Sequence, residues 1–210
     1  MAVTRVACFI DGFNLYHAIK NLRAPHLKWV DLRRLSQRLV APKSESLVAV
    51  YYFSAFANWL PGPRARHELF VAAQREVGVI PVMGHFKEKS RRCPKCAHGW
   101  TGHEEKETDV SIALHMVNEA RKDTFDIGML VSRDSDLAPA LRMIQAEFPS
   151  KSIRLVAPPN KGHSADLLRL AASKTKIRRQ HLEDSLLPAI VMTSSGGIAA
   201  ARPTEYDPPA

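Results

Sequence analysis

Asp134 and Asp136, in Val131-Ser132-Arg133-Asp134-Ser135-Asp136, stand where the apolar run Ile127 to Val131 gives way to a helical stretch from Leu137 to Glu147. In an open α/β sheet the carboxyl end of a strand opens into the ligand crevice, so acids at that point face a cavity rather than a core. A second carboxylate follows a strand in the same way, where Val6-Ala7-Cys8-Phe9-Ile10 ends in Asp11-Gly12-Phe13-Asn14. Asp11, Asp134 and Asp109 are therefore expected to meet in space and hold divalent metal. Gathered carboxylates repel one another, and a bound cation or a raised pKa relieves the repulsion. Their hard oxygens select Mg²⁺ or Mn²⁺. A two-ion site roughly 4 Å across suits in-line phosphoryl displacement. Asn14 would then orient a water or a phosphate oxygen without adding charge. Asp136 is either a further ligand or the N-cap of the helix that follows. Ser132 and Ser135 serve either the turn backbone or metal-bound waters.

A second group of candidate ligands lies in the polar stretch 87–106. Cys93-Pro94-Lys95-Cys96 has the two-residue gap that lets two thiolates reach one tetrahedral zinc ion, and His98 and His103 could complete the set. The alternative is a loop whose thiols stay free or act as a redox pair. Trp100 beside Arg91, Arg92 and Lys95 is either a base-stacking platform or packing for the loop.

The elements that position these groups alternate. Strands are expected at Val3–Ile10, Leu47–Phe53, Val79–Phe86, Ile127–Val131 and Ser152–Val156, the first of them central because it is apolar throughout. Between them, helices are expected from Phe13 to Lys20, from Asp31 (an N-cap) to Val40, and over Arg64–Val77, where Leu69, Phe70, Ala73 and Val77 face inward and Gly78 is the stop. Thr108–Arg121 follows, capped by Thr108 or Asp109, with Val110, Ala113, Leu114 and Val117 inward, and then Leu137–Glu147 and Ala165–Ala172. Such alternation implies a Rossmann-like parallel sheet of about five strands flanked by helices. The domain is expected over residues 1–175. A basic segment and a tail, 176–210, should follow it, disordered from about Thr193 because few apolar groups are available to offset ordering.

The chain of 210 residues is 45% hydrophobic and 24% charged, enough for one domain with a substantial core. Its Lys and Arg number 30 against 21 Asp and Glu, giving +9 and pointing to a polyanionic partner, with nucleic acid first. Two basic groups, one around Arg33 and Arg34 and one around Arg91 and Arg92, are either solvated faces or phosphate contacts. No apolar run is long enough to span a bilayer and Asp11 interrupts the only N-terminal one, so a cytoplasmic, non-membrane protein is expected. Three cysteines fit a reducing compartment better than a disulfide framework.

Three motifs in order, Phe9-Ile10-Asp11-Gly12-Phe13-Asn14, Glu105-Lys106-Glu107-Thr108-Asp109-Val110 and Leu130-Val131-Ser132-Arg133-Asp134-Ser135-Asp136, resemble an NYN domain of the PIN-like nuclease superfamily, within its LabA-like bacterial set. The resemblance covers roughly Val3 to Ala172. It implies metal-dependent cleavage of RNA phosphodiesters, with Asp11, Asn14, Asp109 and Asp134 in an acidic pocket and Asp136 beside them. Arg133 stands where the family usually has glycine, and it either clamps a phosphate or pairs with an acid and weakens metal binding. A non-catalytic RNA-binding module is the alternative that this departure permits. A third is an oxidoreductase, since some proteins similar to this family are described as NADH-dependent hydroxylases of a pyridine such as 6-hydroxy-3-succinoylpyridine. Against that one, no Gly-x-Gly-x-x-Gly follows the first strand, and Asp11 would repel a pyrophosphate there.

Overall fold

A computed structural model describes residues 3–209. The first strand, β1 (Thr4–Asp11), runs directly into helix α1 (Gly12–Lys20), and a 3-10 turn at Pro25–Lys28 leads to α2 (Leu32–Gln37). Then come β2 (Glu45–Ala55), α3 (Pro61–Glu76), β3 (Ile80–Arg92), β4 (Gly99–Lys106), α4 (Thr108–Arg121) and β5 (Ile127–Val131). A 3-10 turn at Ser135–Leu137 opens α5 (Ala138–Glu147), followed by β6 (Ser152–Ala157), α6 (Ala165–Leu168), β7 (Ser173–Lys176) and α7 (Arg179–Glu183). A small hairpin of β8 (Ile190–Met192) and β9 (Ile198–Ala201) and a last 3-10 turn, Thr204–Tyr206, close the chain.

Seven strands form one sheet in the order β4-β3-β2-β1-β5-β6-β7, parallel throughout except for β4 against β3. The five apolar runs are its interior. The two additional strands lie at the edges and are polar, because edge strands are half solvated and carry no continuous apolar signature. Lys174 and Lys176 on β7 place charge at that open edge.

Burial on both faces explains β1. Val6, Cys8 and Ile10 pack with Leu15 and Ile19 of α1 and Leu32 and Leu35 of α2, while Ala7 and Phe9 pack with Ile112 and Met116 of α4 and Leu141 and Ile144 of α5. Burial pushes the Cys8 thiol up to about 12, as expected of a small mid-strand hydrophobe. Gly78 takes a left-handed φ of 81° just past α3 and ends that helix. Asp31 caps α2, accepting the Arg34 N–H at 2.8 Å.

Local structure departs from expectation at four places. Helix α4 buries Ile112, Met116 and Ala120 and leaves Val110 and Leu114 62% and 64% exposed. Apolar residues surround this helix, so its period admitted two inner faces, and packing against β1 and α5 selected the other one. Leu69 on α3 is likewise exposed, whereas Ala73 is buried. Neither Thr108 nor Asp109 caps α4: Glu107 holds the N-cap position in a left-handed conformation, and the Glu105 carboxylate accepts the Thr108 N–H. The fourth departure is the C-terminal segment, which is ordered. Leu187, Val191 and Ala200 form a small core with Trp29 and Ala73, and Trp29 Nε1 donates to the Pro188 carbonyl at 2.8 Å. These few apolar groups suffice because they cover a tryptophan and the outer face of α3 instead of building a core of their own.

Among the described residues no helix is long and apolar enough to cross a membrane.

Candidate functional site

Strand β1 pairs with β5 so that Ile10 lies beside Val131, and the residues that follow, Asp11 and Ser132, emerge side by side at the carboxyl edge of the sheet. Asp11 is almost fully buried. Its Oδ1 accepts the Asn14 backbone N–H at 2.9 Å, and its Oδ2 accepts from Asn14 Nδ2 and from Ser132 Oγ, the latter at 2.8 Å. The carboxylate offers about four lone-pair directions, so three are occupied and one remains. Gly12 permits this arrangement, because a Cβ there would lie 2.5 Å from the Phe53 carbonyl and 2.7 Å from the Tyr52 ring.

Ser132 is the hinge of the cluster. Its hydroxyl donates to Asp11 and accepts the Asp134 N–H at 3.0 Å, so a single buried oxygen ties the ends of β1 and β5 together. Asp134 in turn accepts the Asp136 N–H at 3.0 Å and caps the 3-10 turn. Capping therefore belongs to Asp134, and Asp136 caps nothing. Asn14 has its side chain committed to Asp11, which makes it a positioning residue for that carboxylate.

Asp109 arrives from the head of α4, which packs against the turn at Ser135–Leu137. Burial pushes its carboxyl up to about 6, and repulsion from Asp134, Asp11, Glu105 and Asp136 adds to the shift. Asp11 is raised as well, first by burial and further by Asp134, against the lowering effect of its hydrogen bonds. Among the described residues none of Asp11, Asp109, Asp134 and Asp136 takes part in a salt bridge. The four acids thus share one electrostatic neighbourhood with no counter-cation.

They do not form a closed cage. Among the described residues no three His, Cys, Asp or Glu side chains come within range of a common ion. Hard carboxylate oxygens without a cationic partner, and one free lone pair on Asp11, are the donor chemistry that suits an ion of the Mg²⁺ type, which is usually held by one or two carboxylates and keeps several waters.

Arg133 leaves the acids alone. Its Nε donates to the Gly162 carbonyl at 2.8 Å, which directs the guanidinium toward the loop after β6. Beyond Asp136, a groove of about 610 Å³ runs between Pro139, Arg142, Asp166 and Arg169. Sequence reasoning missed Arg142 and Arg169, which are brought together only by the packing of α5 on α6.

The other predicted basic residues are distributed differently. Arg33 reaches the Gly78 carbonyl at 3.3 Å, where β3 begins, so Arg33 and its neighbour Arg34 lie at the edge of the sheet opposite the acids. The stretch 87–106 is a two-stranded ribbon: β3 leaves β2 after Gly84 and continues to Arg92, with β4 returning alongside it. Arg91, Lys89 and Lys106 all pair with Glu104, and Arg92 Nε donates to the Ala97 carbonyl at 3.0 Å.

The ribbon also separates the zinc candidates. Cys93 and Cys96 sit in its terminal turn, whereas His103 pairs with Glu88, four residues down the ladder from Arg92 opposite Gly99, or about 13 Å at the usual strand rise. His103 instead stacks on Trp59 with ring centroids 3.6 Å apart, and the set Cys93, Cys96, His98, His103 is not assembled. Backbone N–H groups of Cys96 and Lys95 hold the Cys93 thiol below its ordinary range. Trp100 is 47% exposed near His98, its rings 6.5 Å away.

A mostly parallel sheet with flanking helices and acids at its carboxyl edge is a PIN-like, Rossmann-like arrangement. The chain belongs to the NYN domain family, which it matches over residues 5–177 and whose members are typically nucleases that act on RNA. It is 25% identical to 6-hydroxy-3-succinoylpyridine 3-monooxygenase from Pseudomonas putida, over 88% of this chain and 69% of that protein. In fold it is similar to a crystal structure of a protein of unknown function from Vibrio parahaemolyticus, with a TM-score of 0.54, 21% identity, and coverage of 88% of this chain and 97% of that one.

Proposed function

We propose that the protein is a metal-dependent ribonuclease that hydrolyses RNA phosphodiester bonds at the cluster of Asp11, Asp109, Asp134 and Asp136. The observation that supports this reading is that Asp11 and Ser132-Arg133-Asp134 leave neighbouring strand ends at the carboxyl edge of β1 and β5, close enough to Asp109 for their charges to repel its carboxylate. When bound, Mg²⁺ or Mn²⁺ supplies Lewis acidity toward a phosphate oxygen and offsets the charge of the acids. Asp11 and Asp134 would hold it, the first oriented by Asn14 and both fixed relative to each other by Ser132. Asp109, half-buried at the head of α4, would take a proton from an attacking water. Arg142 and Arg169 line the groove beside Asp136, and with Arg133, held toward the loop after β6, they would track the phosphate backbone. Arg91 and Arg92 on the ribbon would supply further phosphate contacts if RNA displaces their links to Glu104 and the Ala97 carbonyl, beside Trp100, whose exposed face would take a stacked base.

The test is cleavage of total RNA with millimolar Mg²⁺ or Mn²⁺, run beside Asp134→Asn. Wild type should cleave, and the variant should stay folded and lose activity. A folded wild type that is inert on varied RNAs with both metals refutes the reading; retained RNA binding in that protein would assign a non-catalytic module instead.

One observation favours a second reading. A cavity with several aromatic side chains in its wall, together with the monooxygenase relative, supports an NADH-dependent hydroxylase of a pyridine such as 6-hydroxy-3-succinoylpyridine. Substrate-dependent oxidation of NADH by the purified protein decides for it.

A further inference from the structure

A partly open cavity of about 520 Å³ lies between α1, the turn at Pro25–Lys28, α3 and the C-terminal turn. That volume falls within the roughly 300 to 1,000 Å³ of small-molecule sites. Its wall is mostly apolar and includes the rings of Phe13, Tyr16, Tyr52, Phe70, Phe86 and Tyr206. Flat rings at mixed tilts, such as Tyr52 and Phe70 at 73°, line a slot suited to another flat ring. None of the four acids borders it.

The polar lining includes Lys28, Arg66, His67 and Glu205. Arg66 is matched by Glu205 at 3.0 Å. His67 shares a hydrogen bond of 3.1 Å with the Tyr52 hydroxyl, and burial brings its pKa down to about 4, so it is neutral at physiological pH. Lys28 differs: its Nζ lies 5.3 Å from the Tyr16 ring and 5.5 Å from the Tyr206 ring, and no carboxylate pairs with it among the described residues. Two tyrosine faces hold this ammonium at the cavity wall. With Arg66 offset by Glu205 and His67 neutral, the lining carries one uncompensated positive charge.

We infer that this cavity binds a flat aromatic ring bearing an anionic group, with the ring among Phe13, Tyr52 and Phe70 and the anion on Lys28. A nucleoside monophosphate and a free aromatic carboxylate share that chemistry. The inference does not depend on the nuclease reading, because the cavity and the acidic cluster have no acid in common; it deepens the hydroxylase reading of the same cavity but requires only binding, without turnover of NADH.

Isothermal titration calorimetry on the full chain with AMP, GMP, CMP, UMP, pyridine-3-carboxylate and its uncharged carboxamide tests it. At least one anionic probe should bind with one-to-one stoichiometry, and the carboxamide should bind at least tenfold more weakly than the carboxylate if the latter binds. Lys28→Ala should weaken the bound anion at least tenfold with thermal unfolding unchanged, and Lys28→Arg should restore it. Asp134→Asn should leave binding intact, which separates this site from the acidic cluster. Binding of nucleotides alone identifies the ring as a base, binding of the carboxylate alone identifies a free acid, and either supports the site. No binding by any probe at millimolar concentration overturns the inference. So does affinity that is indifferent to Lys28→Ala or lost in Asp134→Asn.

Discussion

Replacing Asp109 by Asn should stabilise the metal-free protein at neutral pH while removing its activity. The folded carboxyl sits near 6 against an ordinary value of 3.8. A shift of about two units corresponds to roughly 3 kcal/mol of penalty on the ionised form, and because the group is only half buried, solvent screening reduces the usable figure to about 1 kcal/mol. Between the two values the folded chain binds more protons than the unfolded one, so stability falls as pH rises through that window, and the whole penalty is present above it. The amide introduced by Asp109→Asn carries no charge to repel Asp134 and Asp11. Urea unfolding in the presence of a chelator should therefore find the variant about 1 kcal/mol more stable at pH 7.5, with a Tm higher by about 2 to 4 °C. The gap should close by about pH 4, where the wild-type carboxyl is protonated too. Millimolar Mg²⁺ should raise the wild-type Tm more than that of the variant, since a ligand of the folded state stabilises by mass action. A variant that is no more stable at pH 7.5, or a gap that does not change with pH, refutes the picture of an acid whose charged form is disfavoured by burial and by its acidic neighbours.

Ser132→Ala removes a buried hydroxyl that serves both Asp11 and the Asp134 N–H; unfolding should show a cost of about 1 to 3 kcal/mol, and kcat should fall with RNA binding largely preserved. Arg154→Met leaves Glu45 without its bidentate partner at a site where the two side chains are 14% and 10% exposed, and should cost about 3 kcal/mol by thermal or urea unfolding. Because Arg154 holds the Glu45 carboxyl below its ordinary value, the contribution of the pair is present above that value and is lost as pH falls through the folded one, so variant and wild type should converge in acid. Cys93, in the terminal turn of the ribbon with its thiol pKa lowered by neighbouring N–H groups, should react with iodoacetamide at pH 7.5, whereas buried Cys8 should react only after denaturation, as peptide mass mapping would show.

The acids at the ends of β1 and β5 were legible in the sequence because each follows an apolar run with nothing to bury it, and strand order then fixes which ends lie side by side. Asp109 was legible as an acid at a helix start, but its neighbours Glu105 and Asp136 acquire meaning only when α4 packs against the turn before α5. Ser132 reads as a turn residue, and the turn is indeed half of its work; the bond to Asp11 spans 121 positions and leaves no local trace. The ribbon at 87–106 escapes prediction because both of its faces are solvated for much of its length, so neither period 2 nor period 3.6 marks it. His103 groups with the cysteines by proximity in sequence, and the antiparallel ladder moves it down to Trp59. The C-terminal hairpin is hidden by composition, since its few apolar side chains are sufficient only against a tryptophan that lies 159 residues before the carbonyl it bonds.

The segment that follows that hairpin delivers Glu205 and Tyr206 to the cavity wall, so the last few residues of the chain complete one side of a chamber whose floor is laid by the first helix. Removal of Glu205 and Tyr206 would open this side, which none of Asp11, Asp109, Asp134 and Asp136 borders. Preparations with ragged ends should then retain whatever the carboxylates do and lose any response to aromatic anions, a divergence that intact-mass measurement would trace to a handful of missing residues.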